Sequence, residues 1–209
     1  MIAALFAFLA ASGPTQVSAL TLLPVEQCSQ DRGFEAFRAE LRRVIGTRDR
    51  EFLLNLLSPD ILVNFGGESG RDAFAKHWSF DPDEYGNIWD QLETMMRMGC
   101  ARSNGARVIP SMSAQVETDA DEDWFDKVVL LPGAKLYKET GVESPNPSTV
   151  PWTVVPVISK AGDLVTGVRL PDGREGYISD GDLYSPLGYR MVIEWRVGKW
   201  MVTAFVAGD

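Results

Sequence analysis

Residues 189–206 read YRMVIEWRVGKWMVTAFV, and this stretch contains the clearest β-hairpin of the chain. Apolar and aromatic side chains occupy alternate positions in two arms joined by Val197-Gly198-Lys199, which is the pattern of two antiparallel strands. Val192 in the first arm and Phe205 in the second also place apolar side chains on the opposite face. The pattern therefore predicts a hairpin that is covered on both faces.

Residues 20–110 have mainly helical periodicity. Apolar side chains at Phe34, Phe37, Leu41, Val44 and Ile45 share one face, which predicts a helix that ends at Gly46. Further helices are predicted over 52–57, stopped by Ser58-Pro59, and around 72–78 and 88–96. A strand is predicted through Ile61, Val63 and Phe65.

The pattern changes after an acidic linker at 111–126. Short apolar runs separated by Pro and Gly follow, which favours a small barrel or sandwich. The predicted strands lie at 128–131, 136–137, 153–158, 164–170 and 176–178. Together with the helical part and the hairpin, this predicts an α+β fold.

The first nineteen residues contain no charged side chain and end in Val17-Ser18-Ala19. The apolar run at 1–11 is too short to span a bilayer, and a small-residue step follows it, as in a secretory signal peptide. We therefore expect residues 1–19 to be removed and the protein to be periplasmic or secreted, without a stable membrane anchor. Since no Lys or Arg precedes the apolar run, a buried N-terminal helix is the alternative.

The two cysteines, Cys28 and Cys100, are expected to form one disulfide, because an even count in an oxidising compartment favours pairing. Such a bond would close a long loop and stabilise the fold by roughly 4 kcal/mol. The alternative is two buried free thiols.

Charge and composition exclude several classes of function. The formal net charge of −9 argues against binding to nucleic acid or to anionic membranes, both of which require a basic surface. Asp119, Asp121 and Asp123 have the spacing of the first calcium ligands of an EF-hand, but Trp124 and Leu130 occupy its Gly and Glu positions. One histidine and two cysteines cannot supply a closed zinc site. No metal or other cofactor is expected.

Residues 127–185 resemble a bacterial SH3-like (SH3b) domain. The resemblance rests on Val128-Val129, an apolar middle strand and the late Asp172-Gly173-Arg174-Glu175-Gly176-Tyr177-Ile178 stretch. It implies a β-barrel inserted in the chain, with Tyr137, Trp152 and Tyr177 as candidate ligand-binding residues in a peptide groove; the alternative is that these rings are packed. Members that bind cell-wall peptides carry an Arg-Ser-Gly-Pro-like stretch where this chain has residues 136–140.

The flanking regions resemble the cone-shaped nuclear-transport-factor-2-like fold. The residues concerned are the helices of 34–57, Asn64-Phe65-Gly66-Gly67 and Gly198-Lys199-Trp200. This resemblance implies that the C-terminal hairpin, residues 186–209, packs on the N-terminal part and completes a small antiparallel sheet. It also implies a cone that can enclose a small ligand.

Gly99-Cys100-Ala101-Arg102 is similar to the core of the Ser-x-Gly-Cys-x-Arg signature of L,D-transpeptidases. These enzymes need a Cys thiolate activated by a neighbouring His. Arg97 stands where the family has Ser, the paired His-Gly is missing, and His77 is the only histidine.

The sequence therefore predicts a non-catalytic exported binding or accessory protein, whose partner is a peptide or a peptidoglycan fragment bound by the SH3-like barrel. Two alternatives stay open: a cell-wall peptide enzyme that uses Cys100, and a small-ligand binder with a cone-shaped cavity.

Overall fold

A computed structural model describes residues 22–116, 124–140, 147–161 and 164–208. The proposed signal peptide and Asp119, Asp121 and Asp123 lie outside the described residues. The described chain is a mixed α+β fold, as predicted, with four α-helices and two five-stranded sheets. None of the described helices is both long and apolar enough to cross a membrane.

Three of the four helices begin where the sequence supplies a side-chain cap, and α3 begins after Gly70 without one. They are α1 (Arg32–Thr47), α2 (Arg50–Leu56), α3 (Arg71–His77) and α4 (Ile88–Met96). The carboxylates of Asp31 and Asp49 accept from backbone N–H groups in the first turns of α1 and α2, and Asn87 does so for α4. The first helix extends beyond Gly46, because Arg48 adopts the left-handed conformation that terminates it.

The first sheet has the strand order β1-β12-β11-β3-β2. Its strands are β1 (Leu57–Leu62), β2 (Ala101–Ser103), β3 (Ala106–Ile109), β11 (Arg190–Arg196) and β12 (Lys199–Val206). The predicted hairpin is therefore the centre of this sheet, and Met191, Ile193 and Phe205 are buried in the core that the sheet shares with the helices. The strands β2 and β3 were not predicted, although Asn104-Gly105 between them is a strong hairpin signal.

One strand pair departs from the predicted antiparallel sheet, because β1 pairs in parallel with β12. The strand β1 follows α2 without an intervening loop, so the direction of α2 determines the direction of β1. The second helix ends at Leu56, just before the predicted stop at Ser58-Pro59, and Pro59 itself lies inside β1. A proline is tolerated at this position because β1 is an edge strand, where a missing N–H costs least.

The second sheet has the order β10-β4-β7-β8-β9. Its strands are β4 (Lys127–Leu130), β7 (Thr153–Lys160), β8 (Val165–Arg169), β9 (Glu175–Ser179) and β10 (Leu183–Tyr184), and a small pair, β5 (Lys135–Leu136) with β6 (Ser148–Thr149), lies beside it. A bridge between Tyr137 and Tyr177 links the end of β5 to β9. The pairing among the described residues does not join β10 to β9, so this sheet is not closed into a barrel.

Two hydrophobic cores share the strands β4 and β7. Val129 and Val154 belong to the large core beneath the first sheet, whereas the adjacent Leu130 and Val155 belong to a smaller core inside the second sheet. Successive side chains of a strand point to opposite faces, so each of these strands is buried on both sides. The two sheets are thereby packed into one body.

The predicted disulfide between Cys28 and Cys100 is present and fully buried. The segment before Cys28 runs beside the residues that precede β2: the Cys100 N–H donates to the Val25 carbonyl at 3.0 Å, and the Gln27 N–H donates to the Cys100 carbonyl at 2.8 Å. The bond therefore connects this segment to the edge of the first sheet opposite β1.

Candidate functional site

Two of the three predicted ligand-binding residues, Tyr137 and Tyr177, lie side by side. Each backbone N–H donates to the other's carbonyl at 2.8 Å, so the two residues face each other directly across neighbouring strands. Leu136 and Ile178, their neighbours in sequence, are buried in the smaller core. Both tyrosine side chains therefore point outward, and both are partly exposed. We call this arrangement the tyrosine pair.

The tyrosine pair depends on a glycine at position 176. A Cβ atom at Gly176 would lie 2.5 Å from the Tyr137 carbonyl oxygen and 2.9 Å from the Leu136 side chain. Only a residue without a side chain lets the end of β5 approach β9 so closely. The structure thus explains why a glycine precedes Tyr177 in the stretch that resembles SH3-like domains.

Polar groups surround the tyrosine pair on the outer face of the sheet. Gly167 lies opposite Tyr177 on β8, and the Ser159 hydroxyl occupies the space that a larger side chain at Gly167 would need. At the far end of β9, Arg169 and Glu175 form an ion pair at 2.6 Å with both side chains about half exposed. The result is a partly exposed aromatic surface with a hydroxyl group and an ion pair near it.

Trp152, the third predicted residue, lies apart from the tyrosine pair. Its indole Nε1 donates to the Leu22 carbonyl at 2.6 Å, and its ring packs against the large core. It also lines a cleft of about 120 Å³ between the end of α4 and the loops of the second sheet, together with Arg97 and Asp182. The structure therefore places Trp152 beside the N-terminal segment and the end of α4, where its ring is largely occupied by packing.

The residues of the enzyme alternative are not together. The Cys100 sulfur is bonded to Cys28, and Cys100 lies at the β2 edge of the first sheet. His77 ends α3, which packs at the opposite, β1 edge, and its Nε2 lies 3.1 Å from the Tyr189 hydroxyl. Burial raises the pKa of the Tyr189 hydroxyl, which keeps it protonated at neutral pH.

The cone-cavity alternative requires open space between the helices and the first sheet. That region is filled by large side chains exposed by 2% or less, which include Phe34, Leu41, Trp89, Met95 and Phe205. Phe65, at the rim, is half exposed beneath the Arg190 guanidinium. The packing in this region therefore offers no support for an enclosed ligand.

Sequence reasoning missed a cleft of about 540 Å³ between the end of α1 and α4. It is lined by Arg42, Ile45, Gly46, Arg48, Trp89, Glu93, Met96 and Arg97, and we call it the arginine cleft. Arg42 and Arg48 come from the end of α1 and Arg97 from the end of α4, so no single local motif marks all three arginines. Among the described residues, no group of three or more His, Cys, Asp or Glu side chains could hold a metal ion.

Comparison with known proteins identifies no family. No protein-family model matches the chain, and no curated protein matches it. Among solved structures, a variant of a protein named Rd1NTF2_05 aligns with 86% of this chain and 99% of its own, at 11% sequence identity and a TM-score of 0.31. An alignment at this TM-score carries no argument about fold or function.

Proposed function

We propose that this protein is an exported, non-catalytic binding protein, and that its second sheet, together with β5 and β6, forms a partly open SH3-like barrel which recognises a peptide or a cell-wall fragment. The observation that carries the proposal is the tyrosine pair, two adjacent outward-facing side chains, one just after β5 and one on β9, the edge strand of the second sheet. Aromatic side chains of this kind supply rigid contact area for extended peptides and for other flat or apolar groups.

The strand order supports the barrel part of the proposal. The long strand β7 pairs with β4 through its first half and with β8 through its second half, and its register shifts between Val157 and Ser159. Such a shift bends a strand and lets one sheet wrap around its own core. The Tyr137–Tyr177 bridge brings the chain after β4 back to the far edge of the sheet, as a barrel requires.

The state of Cys100 supports a non-catalytic role. A cysteine nucleophile must be a thiolate, and the Cys100 sulfur is instead bonded to Cys28 and fully buried. A buried structural disulfide also supports residence in the periplasm or outside the cell, because cytosolic reductants keep thiols reduced. The acidic chain is consistent with the expectation that neither nucleic acid nor an anionic membrane is the partner.

Retention on purified sacculi tests the proposal. We expect the wild-type protein to be retained and the double variant Tyr137→Ala, Tyr177→Ala to lose most of that retention. Tyr85→Ala is the matched control, because Tyr85 is a 78%-exposed tyrosine in the loop before α4. Circular dichroism checks that the variants are folded.

Two outcomes would contradict the proposal. If the folded wild-type protein is retained no better than its boiled control, the cell-wall version is wrong. If the Tyr85→Ala and the double variant lose retention equally, the tyrosine pair is not the binding surface. The variants Tyr137→Phe and Tyr177→Phe separate ring stacking, which they preserve, from hydrogen bonding by the hydroxyl groups.

A further inference from the structure

The arginine cleft carries an excess of positive charge in an otherwise acidic protein. Three guanidinium groups, from Arg42, Arg48 and Arg97, line it with a single carboxylate, that of Glu93. The whole chain has a formal net charge of −9. A local concentration of arginines on such a background is the electrostatic arrangement expected of an anion-binding surface.

Neighbouring arginines differ from those of the cleft in having acidic partners. Arg38 contacts Glu26 at 2.6 Å and Glu35 at 2.8 Å, and Arg43 contacts Glu40 at 2.7 Å. In contrast, no carboxylate of the described residues lies within 4.0 Å of the guanidinium groups of the arginine cleft. The described chain therefore leaves these three groups available to an external anion.

The position of Arg48 and Arg97 has one structural explanation, since they cap the C-terminal ends of α1 and α4, where positive charge is favourable. That explanation does not extend to Arg42, which lies more than a turn before the end of α1. It also does not account for the apolar floor between the arginines, formed by Ile45, Met96 and the 2%-exposed Trp89.

Gly46 leaves space in the arginine cleft because it has no side chain. It lies in the last turn of α1 with no need for a left-handed conformation, which Arg48 adopts instead. A Cβ atom at Gly46 would meet no other atom within 4 Å. Glycine is unfavourable inside a helix, and the backbone conformation at this position does not require it. We attribute its presence to the space that it leaves open in the cleft.

We infer that the arginine cleft binds an organic anion that carries a short apolar chain. The guanidinium groups hold the carboxylate or phosphate group, for which their planar donor geometry is suited, and the apolar floor contacts the chain. The volume of about 540 Å³ accommodates such a molecule and is larger than a simple inorganic anion needs. This site is separate from the tyrosine pair and does not depend on it.

Isothermal titration calorimetry of the purified, oxidised chain tests the inference with four probes of equal chain length. Octanoate and octyl phosphate are expected to bind, and their relative affinities show which anionic group the cleft prefers. Octyltrimethylammonium and octyl glucoside, which are cationic and neutral, are expected to bind at least about tenfold more weakly, because neither offers the arginines a negatively charged acceptor.

Substitutions locate the site. Arg42→Gln, Arg48→Gln and Arg97→Gln are each expected to lower the affinity for the preferred probe by about tenfold. Arg43→Gln is the matched control, because it removes the same charge from the same helix at a residue paired with Glu40, and less than a twofold change is expected. Gly46→Leu fills the cleft and is expected to abolish binding, while the tyrosine double variant is expected to bind normally.

The inference is overturned if neither anionic probe binds, or if octyltrimethylammonium binds as tightly as octanoate. It is also overturned if Arg43→Gln weakens binding as much as Arg42→Gln does, because the effect would then be one of overall charge. Undiminished binding by folded Gly46→Leu would place the anion elsewhere on the protein.

Discussion

The two five-stranded sheets are built on cores of different size and composition. The large core beneath the first sheet contains aromatic side chains from helices and strands, including Phe34, Trp89 and Phe205. The core of the second sheet consists of eight aliphatic residues: Leu130, Ala134, Leu136, Val150, Val155, Val168, Leu170 and Ile178. Because stability scales with buried apolar area, the first region supplies most of it, and the smaller core is formed without the rings of Tyr137 and Tyr177.

The smaller core does not stand alone, because β4 and β7 bury one face in each core. Trp124, just before β4, and Tyr184, on β10 of the second sheet, also pack into the large core. We therefore expect the second region to be stable only while it is attached to the first. The following predictions test this dependence, from the largest expected effect to the smallest.

Removing the disulfide should have the largest effect. The double variant Cys28→Ser, Cys100→Ser is expected to lower the free energy of unfolding by roughly 4 kcal/mol, because the bond closes a long loop in the unfolded chain. Urea denaturation followed by tryptophan fluorescence measures the change. If the double variant lost less than about 1 kcal/mol, the bond would not stabilise the first region as the loop argument requires.

A matched pair of core truncations compares the two regions directly. Ile193 in the first sheet and Ile178 in the second are both completely buried, and each substitution by alanine is expected to cost about 3 kcal/mol. Because the cores share two strands, both variants should shift a single unfolding transition.

Separate transitions would contradict this coupling. In that case Ile178→Ala would displace only the transition of the second sheet, and the near-ultraviolet circular dichroism of the large aromatic core would keep its wild-type midpoint. Ile158→Ala provides a control on the second sheet, since Ile158 is 41% exposed and its truncation should cost much less.

The turn of the C-terminal hairpin can be improved. Val197 has a φ angle of 50° and is 99% exposed, so a β-branched side chain occupies a left-handed conformation without any compensating contact. Val197→Asn is expected to raise the free energy of unfolding by about 1 kcal/mol, because asparagine is favoured at this position of a two-residue hairpin turn. A lower midpoint in urea for Val197→Asn would contradict the turn assignment.

Asp31 in the first region and Asp172 in the second allow the electrostatics of the two regions to be compared. The Arg107 guanidinium and the Phe34 N–H hold the pKa of Asp31 below its ordinary value, and the Arg174 backbone N–H and guanidinium do the same for the pKa of Asp172. The carboxyl of Asp31 is 24% exposed, whereas that of Asp172 is 53% exposed. Solvent therefore screens the Asp172 pair more strongly.

Asp31→Asn should lower stability more than Asp172→Asn at pH 7. Because the pKa is lowered in the folded state, the stabilisation by Asp31 is complete above the ordinary value of about 4 and disappears as the pH falls below it. Asparagine keeps the helix cap, so the substitution tests the charge alone. Thermal unfolding at pH 7 and pH 3 measures how much less stable Asp31→Asn is than the wild-type protein. If this loss of stability were larger at pH 3 than at pH 7, the expected direction of the pH dependence would be wrong.

Prediction from sequence was most accurate for features that a few neighbouring residues determine. The hairpin at 189–206 and the helix over 88–96 follow from patterns shorter than twenty residues. The hairpin of β2 and β3 was missed although Asn104-Gly105 has the φ angles of such a turn, 48° and 83°. Its strands are three and four residues long, too short for alternation to be recognised.

The candidate sites were less predictable, because they depend on contacts between distant residues. Tyr137 and Tyr177 were named from the sequence, but their direct pairing follows from the close approach that Gly176 permits. Trp152 was placed with them, yet packing turned its ring toward Leu22. Arg42 and Arg97 have no pattern in common, and only the packing of α1 against α4 creates the cleft between them.

The sequence by itself determined the four helices and the longer strands, the α+β class, and the pairing of the only two cysteines. These properties are decided by local backbone preferences, by hydrophobic periodicity and by residue count. The tertiary structure alone decided that β1 runs parallel to β12, that β4 and β7 serve two cores, and that three arginines line one cleft. Periodicity identifies the buried side of an element, but what covers that side is chosen by packing among segments far apart in the chain.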